Sequence, residues 1–189
     1  MSTQTTNAKY QRLSSQLKEF KPNAALDFPK PGPEHEWLHQ FVGEWETEAE
    51  CRVEGESPMK SKGTERVRLI GDLWIVAEGQ SIIMDKPMTS ILTLGYDSEQ
   101  KKYVGTWIGS CMTHLWQYRG SLDKSGKTLT LETEGTCPQF PGTMAKFKEV
   151  MEVKSRDDRV FTSSMREKDG KWTTIATINY RRRNQSVPN

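Results

Sequence analysis

The sequence predicts an all-β fold: an antiparallel up-and-down barrel of about ten strands, with a short helix before the first strand. Segments in which apolar and polar residues alternate recur from residue 44 to residue 182, and this period of two is typical of half-buried strands. Short turn sequences separate them without helical interruption. Closing such a sheet removes its exposed edges, and this strand number usually leaves an interior cavity. A two-sheet sandwich is the alternative.

Residues 1–33 are predicted to form an arm outside the barrel. Apolar residues at spacings of three and four predict an amphipathic helix over 8–20, and the prolines within 21–33 predict a stiff, extended linker. Such an arm either caps the barrel, packs on a second subunit as in a homodimer, or is disordered in solution. The barrel domain is predicted over 34–183, followed by a tail over 184–189.

The first two strands carry opposite charges on their outer faces. A short helix over 34–42 ends at Gly43, and the strand over 44–54 then places its glutamates on one face. The strand over 60–69 places lysines and arginines on its outer face, which suits antiparallel neighbours. By the same alternation Glu65 points inward, together with apolar residues of its strand.

The later strands contain two more candidate inward carboxylates. In the predicted strand over 144–155, Glu149 shares a face with Phe147 and Met151, so it also points inward. The pattern over 73–84 does not decide which face is inward, so Glu78 is a weaker candidate. A β-bulge would shift the register and turn such a residue outward. The remaining strands are predicted over 88–96, 103–109, 114–122, 127–134, 159–167 and 171–182.

Two aromatic-rich strands meet across a Gly-Ser-Cys-Met-Thr loop within 105–118. Trp107, Trp116 and Tyr118 suit stacking against a flat ligand, although aromatic residues at period two more often pack a core. His114 lies on the same predicted face, and an imidazole titrates in the range needed for acid–base chemistry or for anchoring a ligand. The alternative for His114 is a structural ring bonded to the backbone.

Two resemblances support the barrel. Gly43-Glu44-Trp45, after a short helix and at the start of the first strand, is similar to the Gly-x-Trp pattern of calycins, the lipocalin and fatty-acid-binding barrels. In those barrels an Arg of the last strand often packs across the Trp, which implies that role for Arg181 or a neighbour. A wider match over about residues 34–182 resembles the bacterial family known as domain of unknown function 1579, which implies a calycin-like barrel and carries no activity. The matching runs are Trp37-Leu38, Val42-Gly43-Glu44-Trp45, Gly63-Thr64-Glu65, Gly71-Asp72-Leu73-Trp74, Thr93-Leu94-Gly95-Tyr96-Asp97, Gly105-Thr106-Trp107-Ile108-Gly109-Ser110 and Thr113-His114-Leu115-Trp116.

Composition disfavours several classes of function. The 27 basic and 25 acidic residues give a net charge of +2, which predicts no nucleic-acid partner. Three scattered cysteines, a start without signal-peptide features and no long apolar stretch predict a cytoplasmic protein without a membrane span. Cys111-x-x-His114 resembles half of a zinc site, but no second Cys/His pair lies nearby, so no metal or other cofactor is predicted. Haem held by His114 is the alternative.

The leading functional hypothesis is the binding of a small amphipathic or aromatic molecule inside the barrel, by inward aromatic residues, carboxylates and an imidazole. One alternative is an enzyme that uses His114 with Glu65 or Glu149 as an acid–base pair, in isomerisation or hydrolysis. The other is a structural module whose arm mediates dimerisation. The residues predicted to line the ligand site are Glu65, Glu78, Trp107, His114, Trp116, Tyr118 and Glu149.

Overall fold

The computed structural model describes most of the chain: residues 28–52, 55, 57–137 and 142–183. The helix predicted over 8–20, most of the linker and the tail lie outside these residues. The chain divides into two compact units, Met1–Lys30 and Pro31–Asn189. All elements described below belong to the second unit.

Within the described residues, ten antiparallel strands close into a barrel and one helix precedes them. Each strand pairs with its neighbours in sequence, and the last pairs with the first. The predicted all-β up-and-down barrel is therefore confirmed. The elements are α1 (Pro33–His39), β1 (Gly43–Cys51), β2 (Met59–Ile70), β3 (Trp74–Ile83), β4 (Lys86–Asp97), β5 (Lys102–Gly109), β6 (Trp116–Leu122), β7 (Thr128–Thr136), β8 (Met144–Val153), β9 (Asp158–Arg166) and β10 (Trp172–Arg182).

Most element boundaries differ from the predicted ones by one to three residues, and two of these differences have a visible structural cause. The helix ends at His39 rather than at residue 42, and the carbonyl of Gln40 accepts a hydrogen bond from Arg182 Nη2 at 2.7 Å. A side chain of the last strand thus binds a carbonyl that a longer helix would have used. The sixth strand begins at Trp116 rather than at residue 114, because the β5–β6 ladder starts at the pair Trp107–Trp116.

The end of the barrel that carries α1 is called the helix end. Leu38 and Phe41 are buried there in the larger hydrophobic cluster, which side chains of most strands join. Trp37 Nε1 donates to the Gly126 carbonyl at 2.7 Å, which ties α1 to the turn between β6 and β7. The helix end is therefore a filled core.

The opposite end carries the connections after β1, β3, β5, β7 and β9 and is called the loop end. A smaller cluster of Cys137, Phe147 and Met165 lies near it. Along β8, Glu149 comes between Phe147 of this cluster and Met151 of the larger one. The two hydrophobic clusters are therefore separated along β8 by a carboxyl group.

Trp45, at the start of β1, packs beneath an arginine of β10. Arg182 is its partner in the ladder, and the Arg182 Cζ atom lies 4.2 Å from the indole centroid. Gly43 has a φ of +131°, and a Cβ there would lie 2.7 Å from Arg182 Nη1, so both conformation and space favour glycine. The prediction of Arg181 for this role is corrected to its neighbour, because Arg181 is exposed and lies 3.5 Å from Asp158 in an outer ion pair.

Candidate functional site

Glu65 lies inside the barrel, where its strand parity places it. On β2 it is opposite Trp45 of β1 and Gly79 of β3, and its side chain is only 13% exposed. Arg159 Nη2 donates to Glu65 Oε1, and the Arg159 side chain is 6% exposed. The two residues form an ion pair removed from solvent, in which each charge compensates the other.

Arg159, which was not among the predicted site residues, is also surrounded by aromatic rings. Its Cζ atom lies 4.0 Å from the ring centroid of Tyr180 and 4.6 Å from that of Trp45, and such cation–π contacts stabilise a desolvated guanidinium. The sequence contains a signal for it. Arg159 is two residues before Phe161 and four before Ser163, so the alternation along the strand places all three on the inner face. Arg159 therefore belongs to the structural core of the helix end.

Glu149 is more deeply buried, at 4% exposure, and forms no ion pair with any described residue. Ser163 Oγ donates to Glu149 Oε1 at 3.0 Å, while Oε2 has no hydrogen-bond partner within the described stretches. Burial raises the pKa of Glu149 to about 8, although the hydrogen bond from Ser163 opposes the shift. Near neutral pH the group is therefore an uncharged carboxylic acid that can donate one hydrogen bond.

Thr133 on β7 is a second buried polar group without a partner. It is 7% exposed, and its Oγ1 makes no hydrogen bond to the part of the chain that is described. Leu131 is opposite Glu149 and Thr133 is opposite Phe147, so Thr133 and Glu149 are diagonal neighbours on the inner face, with Cα atoms roughly 7–8 Å apart. Each unsatisfied buried group costs about 1–3 kcal/mol. Two adjacent ones mark hydrogen-bonding capacity that the described side chains do not use.

Trp107 and Tyr118 line the same interior and remain half-buried. Trp107 is opposite Leu92 of β4, and Tyr118 is opposite Gly105 of β5. Burial raises the pKa of Tyr118 well above its ordinary value, and the nearby Glu149 raises it further. The phenol therefore stays protonated beside the buried carboxyl group, where it can donate a hydrogen bond.

A group of small inward residues lies across the lumen from Glu149. The strands β3 and β8 are five strands apart in both directions around the barrel, so they face each other. The residues around β3 have small side chains or none, and all of them are half-buried. At Gly63 and Gly79 the place of a Cβ is already taken, by the Gln80 carbonyl oxygen and by Ser90 Oγ. This feature was not predicted, since it is readable only when the inner faces of neighbouring strands are compared. These residues, called the small-residue wall, are Ala49, Ser61, Gly63, Gly79, Ser81 and Ser90.

His114 and Trp116 lie near the loop end. The Nε2 atom of His114 is 3.2 Å from the Glu134 carbonyl, and its ring meets Trp116 edge to face, with centroids 4.9 Å apart. Trp116 makes a similar contact with Phe147, and its ring occupies the space above Gly135. Both residues therefore take part in packing at this end of the barrel.

The geometry does not favour an acid–base pair between His114 and an inward carboxylate. His114 contacts a backbone carbonyl, Glu65 a guanidinium and Glu149 a serine hydroxyl. The Nε2 atom of His114, which would ligate a haem iron, is the atom that meets the carbonyl. The arrangement around His114 therefore does not fit a haem ligand.

Glu78 lies on the outer face, and its prediction as an inward ligand residue is wrong. Its side chain is 48% exposed, and its Oε1 lies 3.5 Å from Arg68 Nε in a surface ion pair. In the β2–β3 ladder Gly79 is opposite the inward Glu65 and therefore lies on the inner face. Glu78 is the residue before Gly79, so it points out of the barrel.

An open depression of about 350 Å³ lies at the loop end. The inward residues Cys137, Ala145 and Met165 line it together with the exposed Lys146 and Arg166. Apolar inner-face residues thus meet basic side chains where the barrel reaches the surface.

Within the described ranges, no group of three or more His, Cys, Asp or Glu side chains is arranged to hold a metal ion. Over the same residues, no helix has both the length and the apolar character needed to cross a membrane. Cys51, Cys111 and Cys137 are free thiols.

Comparison with known proteins agrees with this architecture. The model of a family described as "Protein of unknown function (DUF1579)" matches residues 30–182. The chain belongs to this family. No curated protein matches the chain.

Two solved structures share the barrel at low sequence identity. Rv2717c from M. tuberculosis is 13% identical, covers 82% of this chain and 100% of its own, and superposes with a TM-score of 0.55. The S-type phycobiliprotein lyase CPES from Guillardia theta is 15% identical, covers 82% of this chain and 99% of its own, and has a TM-score of 0.52. At these identities the similarity shows the fold alone.

Proposed function

We propose that this DUF1579 protein binds a small amphipathic or aromatic molecule in the barrel interior. The observation that carries the proposal is an inner surface that stays half-buried in a closed barrel: Trp107 and Tyr118 on one side, the small-residue wall on another. Small-molecule pockets combine such surface with a few polar groups. Here those groups are the Glu149 carboxyl and the hydroxyls of Thr133 and Tyr118.

The other predicted site residues take different positions in this proposal. Glu65 is held by Arg159 and bounds the ligand space on the side of the helix end. His114 and Trp116 border it on the side of the loop end. The ligand therefore occupies the middle of the barrel, between two packed regions.

Neither alternative function has a specific observation in its favour. The acid–base pair lacks the required contacts, and most of the arm lies outside the described residues. A homodimer formed through the arm stays a prediction, which the molecular mass of the protein without residues 1–33 would test.

Binding of N-phenyl-1-naphthylamine, an uncharged aromatic probe whose fluorescence rises in apolar surroundings, tests the proposal. We expect one probe molecule per chain. Ser81→Trp places an indole on the small-residue wall and fills the lumen, so we expect the affinity to fall at least about tenfold, the equivalent of 1.4 kcal/mol.

The matched control is Gln80→Trp, one residue away on β3 and exposed on the outer face. A second pair replaces the inward Trp107 or the exposed Trp172 by alanine, and only the inward change is expected to weaken binding. If inner and outer substitutions affect the probe equally, the binding site is not the lumen.

A further inference from the structure

We propose that Glu149 and Thr133 form one polar subsite, and that the ligand is an uncharged molecule with a carbonyl oxygen next to an aromatic or apolar frame. This inference rests on the proposed function, because it names the chemistry that the interior would recognise. It adds a residue, Thr133, that the sequence did not indicate, and it assigns a direction to the hydrogen bonds.

The structure places two polar atoms that its described residues leave unpartnered on neighbouring strands of the inner face. Glu149 Oε2 and Thr133 Oγ1 are both buried, and both are without partners among the described residues. Their strands are adjacent, and the ladder places them diagonally on the inner face. Across the lumen stands the small-residue wall. Both atoms are enclosed by protein, so the proposed ligand reaches them by displacing side chains of the inner face.

The hydrogen bonds of Glu149 decide what this subsite recognises. Its Oε1 accepts from Ser163 at 3.0 Å, and burial keeps the carboxyl group protonated near neutral pH. The proton is therefore available on the second oxygen, which becomes a donor. The Thr133 hydroxyl can donate as well. Two neighbouring donors in an apolar interior suit a neutral oxygen acceptor, such as the carbonyl of a ketone, ester or amide.

The surroundings favour an uncharged partner over an ionic one. Charged molecules are costly to desolvate unless a countercharge meets them. Arg159 is buried, but its charge is already balanced by Glu65. The titratable and polar groups that face Glu149 from neighbouring elements are Tyr118 of β6, Thr133 of β7, Ser163 of β9 and, one step further, Tyr180 of β10.

A buried water molecule is the competing occupant of the same two atoms, since such waters commonly satisfy buried polar groups. Water would leave the barrel without preference between a carbonyl compound and a hydrocarbon of the same shape. A ligand carbonyl at these two atoms therefore predicts a preference for the carbonyl compound, whereas a bound water predicts none.

The test compares acetylnaphthalene with ethylnaphthalene, two uncharged probes that differ by the carbonyl oxygen, by titration calorimetry on the full chain. We expect the wild type to bind acetylnaphthalene about tenfold more tightly. In Glu149→Leu this preference should disappear while ethylnaphthalene still binds. In Thr133→Val, which keeps the side-chain shape, the preference should fall several-fold.

The control for the second variant is Thr130→Val on the outer face of the same strand, where Thr130 is opposite Val150. It should retain the preference. Raising the pH from about 7 to about 9 ionises Glu149 in the wild type, so affinity for acetylnaphthalene should fall there and stay unchanged in Glu149→Leu.

The outcomes separate the two proposals. If neither probe binds the folded wild type, the proposed function fails. If both bind equally, or if Glu149→Leu and Thr133→Val keep the preference, the lumen is a binding site but the subsite is wrong and its atoms hold water.

Discussion

Two of the described carboxyl groups, those of Glu65 and Glu149, point into this barrel, and their surroundings differ. Glu65, near the helix end, is paired with the buried guanidinium of Arg159, which three aromatic residues enclose. Glu149, between the hydrophobic clusters, has a serine hydroxyl on one oxygen and no partner for the other among the described residues. The first carboxylate has its countercharge within the fold, although Arg159 Nε has no hydrogen-bond partner among the described residues. The second has a free oxygen and no countercharge among those residues.

The difference shows that an inward carboxylate is not by itself a sign of a binding site. What distinguishes Glu149 is unused hydrogen-bonding capacity at nearly complete burial, next to a second unused group on Thr133. Pairing with Arg159 assigns Glu65 to the core, whereas the unpartnered oxygen of Glu149 supports its place in the proposed ligand site. Variants of the Glu65–Arg159 pair and variants of Glu149 should therefore differ in their effects on stability and on ligand binding.

Removal of Arg159 should have the largest effect. Arg159→Ala leaves Glu65 buried without its countercharge and removes a stacked guanidinium, so we expect a loss of about 3–5 kcal/mol in the free energy of unfolding, measured with urea. The control Arg66→Ala breaks an exposed ion pair with Glu44 and should cost less than about 1 kcal/mol. Equal losses in the two variants would refute a structural role for the buried pair.

Stability should depend on pH through Glu149. Its pKa is raised from 4.5 to about 8 in the folded protein, so the folded state holds a proton that the unfolded chain releases. The free energy of unfolding then falls as the pH rises between these values, by up to about 1.4 kcal/mol per pH unit, and levels off above them. Glu149→Gln cannot ionise, and in denaturant titrations over this range its stability relative to wild type should increase with pH. A constant difference from about pH 5 to about pH 8 would contradict the raised pKa.

Arg182 and its neighbour provide a matched pair with a smaller expected effect. Arg182→Ala removes the stack on Trp45 and the hydrogen bonds to the Gln40 and Val42 carbonyls, so we expect thermal and urea unfolding to show a loss of about 2 kcal/mol. Arg181→Ala should lose less than about 1 kcal/mol, because its ion pair is exposed. A larger loss for Arg181→Ala than for Arg182→Ala would support Arg181 as the partner of Trp45.

The smallest effect is expected for Glu78, the carboxylate that faces solvent. Glu78→Ala breaks only a surface pair with Arg68, so we expect a change below about 1 kcal/mol in stability. Calorimetry with acetylnaphthalene should show unchanged affinity. Weakened binding in this variant would mean that the ligand contacts the outer face of β3.

The barrel could be predicted from sequence because period-two patterns and turn residues mark most strands directly. The same parity placed Glu65 and Glu149 inside. It failed for Glu78, since β3 carries large apolar residues on both faces: Trp74 packs over Gly95 outside, while Ile75 is buried inside. A strand that is apolar on both faces has no readable alternation.

Other features depended on long-range register, which one sequence does not contain. A shift of one residue exchanges the two faces of a strand, and only the β1–β10 ladder selects Arg182 over Arg181 as the partner of Trp45. The pairing of Arg159 with Glu65 joins residues 94 positions apart. Thr133 gave no signal, because an inward threonine becomes informative only once its neighbours leave it without a partner.

The most direct test of the difference between Glu149 and the ion-paired Glu65 is the infrared spectrum of the carboxyl groups as a function of pH. For the wild type we predict the carbonyl stretch of a protonated, buried carboxylic acid at neutral pH, which disappears with a midpoint near pH 8. Glu149→Gln should lack this band, and the exposed-site control Glu78→Gln should keep it. A wild type without the band at neutral pH, or a band that persists in Glu149→Gln, would contradict a protonated Glu149 in the barrel interior.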